Sequence, residues 1–418
     1  MARKKRRIKK KAQTQKIIIP KDLVHRTRIR VIGIGGGGSS IVSGIAPQVQ
    51  KIDFVAANTD VQALQQANKG VRVFRFGEAL TKGLGCGMNA QLGQRAAKEA
   101  KTQITKLLQG VDFCILVASL GAGTGSGATP EFAKIAKELK VMTLGIFTLP
   151  FKFEGGRKSE IAKSSLKKIT PDLNAVSIIP NENIFQIIDK KTPLKEAFST
   201  INKRLAENLK GLCEMVFLPG IVNIDFADLK TILEGKGKLA YLNSAQAQGP
   251  NRVEEALKQV LKSPLNEYDI RGAEKIIFNI TASQDLGMRE VEQISQTIAD
   301  FNHRAKIIFG VSQNNDYHDK IRIVLLALGC GKLKPQPKPK PRPKPRPKKK
   351  SRPKADPSRP KKPKKRIKKR AKKLSPVSVP VKEIKEEPVK SLSRRTALDL
   401  KKAVEETEKE MLAQEKKW

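Results

Sequence analysis

Apolar and polar positions follow two alternating patterns up to about residue 330. Apolar runs with the length of buried strands alternate with segments whose apolar residues recur every three or four positions, as on one face of a helix. Six runs are candidate strands: 28–34, 52–57, 71–76, 111–118, 141–148 and 176–179. This order of strands and helices predicts an α/β fold with a mainly parallel, Rossmann-like doubly wound sheet.

Two regions follow the predicted sheet. Residues 193–217 predict a long central helix, which at 1.5 Å per residue would span about 36 Å and could join two sites on opposite sides of the body. A smaller α+β domain is expected beyond it, with helices and strands at 252–262, 275–281, 288–302, 305–311 and 321–328. We find no catalytic constellation in the sequence of this second domain.

A glycine-rich segment, Ser119–Pro130, separates the strand at 111–118 from a helix expected over 131–139, with Thr129 as its cap and Pro130 in its first turn. Its glycines therefore fall between a strand end and a helix start, where unpaired N–H groups and the helix dipole favour an anion such as phosphate. A flexible linker is the alternative interpretation. The segment is not a P-loop, because it lacks the lysine of that motif.

Two further glycine-rich loops occur at 33–40 and 83–89, the second before a helix expected over 91–109. In the first loop three glycines match the G-x-G-x-x-G spacing of dinucleotide-binding proteins, and Asp53 and Asp60 lie about twenty residues beyond it. This pattern alone leaves a nicotinamide-dependent oxidoreductase open, although many phosphate-binding loops share it.

Polar residues that follow later strands are candidate nucleotide contacts. Glu154, with the neighbouring Arg157 and Lys158, could hold a ribose and a phosphate, or could form a solvated surface cluster. Phe198 and Asn202 lie four residues apart on the central helix, so they could together meet a base by stacking and hydrogen bonding. Core packing is the alternative for Phe198.

An acidic segment follows the central helix and contains Asn223, Asp225 and Asp228. Two carboxylates three residues apart, with an amide beside them, can hold a cation or polarise a water molecule. Alternatively, Asp228 caps a following helix. No protein metal site is expected, because the four cysteines have no CxxC spacing and the three histidines have no metal-ligand spacing.

The charge of the chain is unevenly distributed. The formal net charge is +43, with about +8 in the first eleven residues and about +22 in residues 332–373. Lys-Pro and Arg-Pro repeats cannot form a packed core, so residues 332–373 are expected to be a disordered arm that binds anionic lipid or nucleic acid. Residues 391–418 have the periodicity of a short amphipathic helix, which could bind a partner or remain solvated.

The expected location is the cytoplasm. No apolar run reaches the length of a membrane span. The run 17–19 is too short for the core of a signal peptide, and scattered cysteines fit a reducing compartment.

These motifs, in this order, resemble the FtsZ family of bacterial tubulin homologues. The segment Gly121–Gly127 is similar to the Gly-Gly-Gly-Thr-Gly-Ser/Thr-Gly signature, and Asn223–Asp228 matches the Asn-x-Asp-x-x-Asp acidic loop of the family. The resemblance runs from about Arg28 to Gly329. Shorter segments also look like family segments: 58–60, 83–89, 153–155, 179–181 and 279–282.

The resemblance implies a GTP site in the first domain, with Mg²⁺ on the β- and γ-phosphates. It implies that Cys86 and Gly87 lie near the γ-phosphate and that Glu154 contacts the ribose, with Lys158 near it. It assigns guanine recognition to Asn181, Phe198 and Asn202. The implied phosphate-binding residues are Gly35, Gly36, Gly37, Gly38, Gly121, Ala122, Gly123, Thr124, Gly125, Ser126 and Gly127.

The resemblance further implies that the acidic loop completes the site of the next subunit in a head-to-tail homopolymer. Asp225 and Asp228 would position and polarise the attacking water, and Asn223 would hold the loop. The implied function is a filament-forming GTPase of cell division at the division site, with division-ring or membrane-tethering proteins bound by the C-terminal tail. The alternative is a slowly hydrolysing filament protein tethered to DNA or membrane by its basic arm.

Three positions depart from the family pattern, and they leave the hydrolysis rate open. Ala122 replaces a glycine of the signature, and an alanine adopts positive φ poorly. Ser39–Ser40 replaces a glycine or cysteine followed by an asparagine. Lys158 replaces an arginine, which keeps the charge but loses the two-pronged hydrogen-bonding geometry.

The expected organisation has six parts. They are a basic N-terminal arm (1–27), a GTP-binding domain (28–191), the central helix (192–218), a C-terminal activation domain (219–330), a Lys/Arg/Pro-rich linker (331–390) and an amphipathic peptide (391–418).

Overall fold

The computed structural model describes residues 27–49, 52–189, 191–217 and 220–331. Nearly all of the predicted N-terminal arm, the basic segment that begins at Lys332 and the C-terminal peptide lie outside these residues. Within the described part of the chain, no helix is both long and apolar enough to cross a lipid bilayer.

The first six strands form a parallel sheet in the order β3-β2-β1-β4-β5-β6. Their bounds are β1 Ile29–Ile34, β2 Asp53–Asn58, β3 Val71–Arg75, β4 Phe113–Ser119, β5 Met142–Leu149 and β6 Ala175–Pro180. The parallel Rossmann-like sheet predicted from the sequence is therefore confirmed. The central strands β1 and β4 are buried almost throughout, as expected for a sheet covered on both faces.

Helices cover both faces of this sheet. Their bounds are α1 Gly35–Ile45, α2 Val61–Gln65, α3 Glu78–Thr81, α4 Ala90–Glu99, α5 Lys101–Leu108, α6 Gly123–Glu138, α7 Gly156–Ile169 and α8 Leu194–Phe217. One apolar core lies between the sheet and the α4–α6 layer. A second core contains α1, the central helix α8 and one face of the following sheet, so α8 is packed between the two sheets.

The second sheet has the order β8-β11-β9-β10-β7. Its strands are β7 Gly220–Val222, β8 Lys238–Gln248, β9 Lys275–Ala282, β10 Lys306–Gln313 and β11 Lys320–Leu328, with helices α9 Phe226–Leu233, α10 Arg252–Leu261 and α11 Met288–Phe301. Two residue pairs between β6 and β8 join it to the first sheet. Strand β8 was not predicted, because its inward positions carry small alanines such as Ala245 and Ala247 rather than a clear apolar run.

The structure corrects the predicted starts of two helices. The glycine-rich segments after β1 and β4, predicted as loops, instead form the first turns of α1 and α6. Pro130 lies inside α6, and Thr129 does not cap it but donates its hydroxyl to Gly125 O. The helix tolerates Pro130 because Ser165 Oγ donates to Ser126 O over 2.6 Å, replacing the N–H that proline lacks.

Two other helix predictions also change. The single helix expected over 91–109 is divided at Ala100 into α4 and α5. Helix α7 follows the Glu154 segment and was not predicted from the sequence.

Candidate nucleotide site

The candidate site lies at the carboxyl edge of the first sheet. Helix α1 begins directly after β1, and α6 begins after three residues that follow the end of β4; Glu154 and Asn181 follow β5 and β6. Because parallel strands end at the same edge, the topology brings these segments together. Ligands of open α/β sheets bind at this edge.

A cavity of about 270 Å³ opens there. It collects eight of the predicted site residues: Gly37, Gly121, Ala122, Glu154, Lys158, Asn181, Phe198 and Asn202. The other predicted phosphate-binding residues do not line it: Gly35, Gly36, Gly38, Cys86, Gly87, Gly123, Thr124, Gly125, Ser126 and Gly127. Most of this second set is buried beside the cavity in the first turns of α1 and α6.

Close packing explains the glycines of α6. A Cβ on Gly123 would lie 2.7 Å from the backbone oxygens of Cys86 and Gly87, and a Cβ on Gly127 would overlap Ala90 O. The loop predicted to lie near the γ-phosphate is thus packed directly against the start of α6. Thr59 reinforces this contact, because its hydroxyl lies 2.7 Å from Thr124 Oγ1.

Two predicted phosphate donors already have partners within the protein. Gly121 N–H donates to Ser126 Oγ over 2.8 Å, and Gly123 N–H donates to Gly87 O over 2.6 Å. Both groups therefore shape the segment around Ala122. N–H groups in the first turn of a helix have no acceptor within that helix, so the starts of α1 and α6 still favour an anion.

Glu154 and Lys158 form one wall of the cavity. Glu154 accepts a hydrogen bond from Phe151 N through Oε1, and its Oε2 accepts one from Lys158 Nζ over 2.9 Å. Arg157 is exposed and does not line the cavity. The solvated-cluster interpretation therefore fits Arg157, whereas Glu154 and Lys158 are held against the site.

Asn181, Phe198 and Asn202 also line the cavity. Phe198 is 37% exposed and meets the Phe151 ring edge-on at 5.3 Å, so simple core packing does not describe it. Within the part of the chain that the structure describes, the side-chain amides of Asn181 and Asn202 have no hydrogen-bond partner. An exposed ring with two amides that can pair is suited to a planar, polar base.

Six cavity residues have no assigned contact in the sequence prediction, although the first three lie in its glycine-rich segments: Ser40, Ser119, Leu120, Thr148, Pro150 and Ile201. Ser119 is the last residue of β4, and Thr148 is opposite it on β5. The rule that ligands bind beyond strand ends could have identified both.

The acidic loop has a different structure from the cavity. Asp225 is the N-cap of α9: its Oδ1 accepts from Asp228 N over 2.7 Å, and Asp228 Oδ2 accepts from Asp225 N over 3.2 Å. The cap is therefore Asp225, and Asp228 completes a reciprocal capping box, which corrects the alternative that Asp228 is the cap. Asn223 Oδ1 accepts from Gly220 N over 2.6 Å and ties the loop to β7.

This loop lies at the opposite edge of the first sheet. Phe226 and Lys230 of α9 line a cavity of about 440 Å³ together with Val111 and Met142, which are at the amino ends of β4 and β5. Strands of six to eight residues rise about 3.3 Å per residue, so roughly 20 Å separates this edge from the nucleotide cavity. The two predicted halves of the active site do not meet within one chain.

The dinucleotide alternative finds no support at either acidic residue. Asp53 is at the amino end of β2 and pairs with Arg30 Nε over 2.7 Å, far from the glycine-rich edge. Asp60 follows the carboxyl end of β2, but its Oδ1 caps α2 at Ala63 N. Neither carboxylate lines the cavity.

A parallel sheet with helices starting at its carboxyl edge, followed by a long helix packed against a second sheet, is the architecture of the tubulin/FtsZ class. The family model "Tubulin/FtsZ family, GTPase domain" matches residues 28–189, and "FtsZ family, C-terminal domain" matches residues 238–331. The cell division protein FtsZ of Coxiella burnetii is 36% identical over 307 residues, which are 73% of this chain and 79% of that protein.

Solved structures agree with this assignment. The chain is similar to an empty FtsZ dimer from M. jannaschii, with 31% identity and a TM-score of 0.68 over 73% of this chain and 89% of that one. The CetZ2 structure from Haloferax volcanii, at 21% identity and a TM-score of 0.62 over 73% and 94% of the two chains, supports the fold alone. The chain belongs to the FtsZ family. It is a GTPase of this filament-forming, cell-division family, and the slowly hydrolysing tethered alternative is not favoured.

Proposed function

We propose that this chain binds GTP in the 270 Å³ cavity and hydrolyses it only when a second copy supplies its acidic loop. The observation that carries the proposal is the placement of the two sets of residues at opposite edges of one sheet. In a head-to-tail filament the acidic edge of one subunit would face the cavity edge of the next. A similar chain has been solved as an FtsZ dimer, which supports self-association.

The cavity residues divide into three roles in this proposal. The first turns of α1 and α6 receive the phosphates, Glu154 and Lys158 hold the ribose, and Asn181, Phe198 and Asn202 recognise guanine. Closely packed helix starts suit phosphate, because backbone N–H groups can approach it without intervening side chains.

Mg²⁺ fits this site as a ligand of the nucleotide rather than of the protein. Within the described residues, no group of three or more His, Cys, Asp or Glu could hold a metal ion. Among the described residues, Glu154 is the only carboxylate that lines the cavity, and both its oxygens already accept hydrogen bonds. Mg²⁺ would therefore bind phosphate oxygens and water, its usual ligands beside a nucleotide, and would neutralise charge there.

Hydrolysis would use the exposed acidic loop of the neighbouring subunit. Asp225 and Asp228 would orient and polarise water against the γ-phosphate, and Asn223 would keep the loop in shape through its bond to Gly220. Phosphoryl transfer depends mainly on positioning and charge stabilisation, so assembly alone could switch the reaction on.

We also propose roles for the predicted segments of the chain. The domain at 28–191 binds GTP, the helix at 192–218 links cavity to acidic loop, and the domain at 219–330 presents that loop. The linker at 331–390, by its positive charge, would bind anionic lipid or nucleic acid. The peptide at 391–418 would recruit a division-ring or membrane-tethering protein at a cytoplasmic division site.

Mixing two impaired variants tests the intersubunit site. Asn202→Ala removes a base contact but keeps the acidic loop, whereas Asp228→Ala keeps the cavity but removes a carboxylate. At saturating protein, Asp228→Ala alone should hydrolyse GTP at least about 100-fold more slowly than the wild type, and Asn202→Ala alone should be slow at GTP concentrations below its weakened affinity for GTP. An equimolar mixture should recover a substantial fraction of the wild-type rate, because Asn202→Ala subunits can present their loops to GTP bound by Asp228→Ala subunits.

The wild-type reaction provides the second arm of the test. Its rate per subunit should rise steeply above a threshold protein concentration. A rate per subunit that is independent of concentration, with no recovery in the mixture, would place the complete active site within one chain and contradict the proposal.

A further inference from the structure

Ser119 and Thr148 are cavity residues for which the proposed function gives no role. Ser119 ends β4, and Thr148 is its register partner on β5. Thr148 is almost fully buried, and its Oγ1 donates a hydrogen bond to Ser119 Oγ over 3.0 Å. Both side chains line the nucleotide cavity.

Ser119 lies where the two glycine-rich helices meet. A Cβ on Gly37, in the first turn of α1, would overlap Ser119 Oγ. A Cβ on Gly125, in the first turn of α6, would lie 2.7 Å from Ser119 O. The side chain of Ser119 therefore lies against the start of α1, and its main chain lies against the start of α6. Both helix starts favour an anion.

The hydrogen-bond capacity of Ser119 is only partly used. A serine hydroxyl has one proton to donate and two lone pairs. Thr148 occupies one lone pair of Ser119 Oγ, and among the described residues no acceptor takes the Ser119 proton. Because Ser119 lines the cavity, that proton is available to a group bound there.

We infer that Ser119 donates a hydrogen bond to a phosphate oxygen of bound GTP. Thr148 is the positioning residue: its hydrogen bond to Ser119 Oγ holds that hydroxyl in place while the Ser119 proton stays available to the nucleotide. Hydrogen bonds between a hydroxyl and an anionic oxygen are among the stronger ones in proteins. This inference rests on the proposed nucleotide site. It adds a side-chain donor to the backbone N–H groups that we propose as phosphate ligands.

Affinities for GDP, GTP and guanosine test this inference, measured by calorimetry or competition with full-length protein below its assembly threshold. Ser119→Ala should weaken GDP and GTP binding about tenfold and change guanosine binding less than twofold, since guanosine has no phosphate. Thr148→Val should weaken GDP binding about threefold, because it only frees the Ser119 hydroxyl to rotate. The exposed serine variant Ser164→Ala is the matched control and should bind all three ligands as the wild type does.

Three outcomes have distinct meanings. Equal losses for GDP and guanosine, or no loss for either, would overturn the role of Ser119. If Asn202→Ala weakens GDP binding while Ser119→Ala does not, only this inference fails. If Asn202→Ala also leaves GDP binding unchanged, the proposed site itself is wrong.

Folding of the variants is controlled separately. The nucleotide-free melting temperature of each variant should lie within about 3 °C of the wild type. If Ser119→Ala does not fold, Ser119→Cys replaces it, since a thiol keeps the shape but is a weak donor. Wild-type GDP affinity in Ser119→Cys would then contradict the inference.

Discussion

The two edges of the first sheet, to which we assign the two halves of the proposed active site, are built in opposite ways. At the carboxyl edge, helix starts pack so closely that a Cβ at Gly37 or Gly127 would overlap neighbouring atoms. At the amino edge, Asn223 and Asp225 are exposed, and Asp225 and Asp228 bond chiefly to each other's backbone. One edge is a preformed cavity, whereas the other is a short exposed loop held by its own hydrogen bonds.

This difference fits the division of roles that we propose for the cavity and the acidic loop. A cavity that holds a nucleotide must be rigid, because its backbone donors have to be in place before the ligand arrives. A loop that completes another subunit's site must remain exposed, because burial in its own chain would prevent the contact. The central helix α8 connects the two, since Phe198 and Asn202 line the cavity and its last turn leads into β7 and the acidic loop.

The largest expected effect is a loss of GTP hydrolysis without a loss of stability, caused by a substitution in the acidic loop. Asp225→Ser keeps a good helix N-cap but removes the carboxylate. GTP hydrolysis should fall about 100-fold or more, while the urea midpoint and the GTP affinity remain close to those of the wild type. Glu234→Ala, at the other end of α9, is the matched acidic control and should leave hydrolysis within about twofold of the wild-type rate. A small loss with Asp225→Ser would mean that Asp225 serves only as the cap.

The next largest effect is a loss of stability at the closely packed carboxyl edge. Gly127→Ala places a methyl group against Ala90 O, with Gln94 N at 2.7 Å, and should lower the unfolding free energy by about 3 kcal/mol. Gly44→Ala is the matched control in α1, because nothing lies within 4 Å of its Cβ. It should raise the unfolding free energy by about 0.5 kcal/mol. Urea unfolding of the nucleotide-free protein measures both, and equal effects would show that close packing does not limit this edge.

The sequence predicted the parts of the two edges that depend on local pattern. The parallel sheet follows from apolar runs, and Glu154 and Asn202 follow from their place after a strand and from helical spacing, whereas Asn181 is implied only by the family resemblance. The acidic loop was found from its spacing, although its capping box assigns the cap to Asp225 rather than Asp228. These features depend on a few neighbouring residues, so one sequence is enough to reveal them.

Features that depend on distant contacts were not predicted. Glycine lowers helix propensity by about 1 kcal/mol per residue, so the start of α6 looked like a loop. Tertiary packing against Cys86, Gly87 and Ala90 allows it to be helical instead. Nor does local pattern show that Ser119 and Thr148 pair across two strands, because that pairing depends on sheet register.

The smallest effect tests how the packed edge tolerates a proline. Ser165 Oγ donates to Ser126 O, the carbonyl that Pro130 leaves without a helical donor. Ser165→Ala would leave this buried acceptor unpaired, which should lower the unfolding free energy by about 1–2 kcal/mol and the melting temperature by a few degrees. Ser164→Ala, the exposed neighbour on α7, should change neither. Ser126 also accepts a hydrogen bond from Gly121 N–H, so loosening this turn should weaken GTP binding slightly as well. Substitutions at the acidic edge should not change the GTP affinity of a single subunit. A stability loss without any change in GTP affinity would show that the turn supports the fold but not the shape of the cavity.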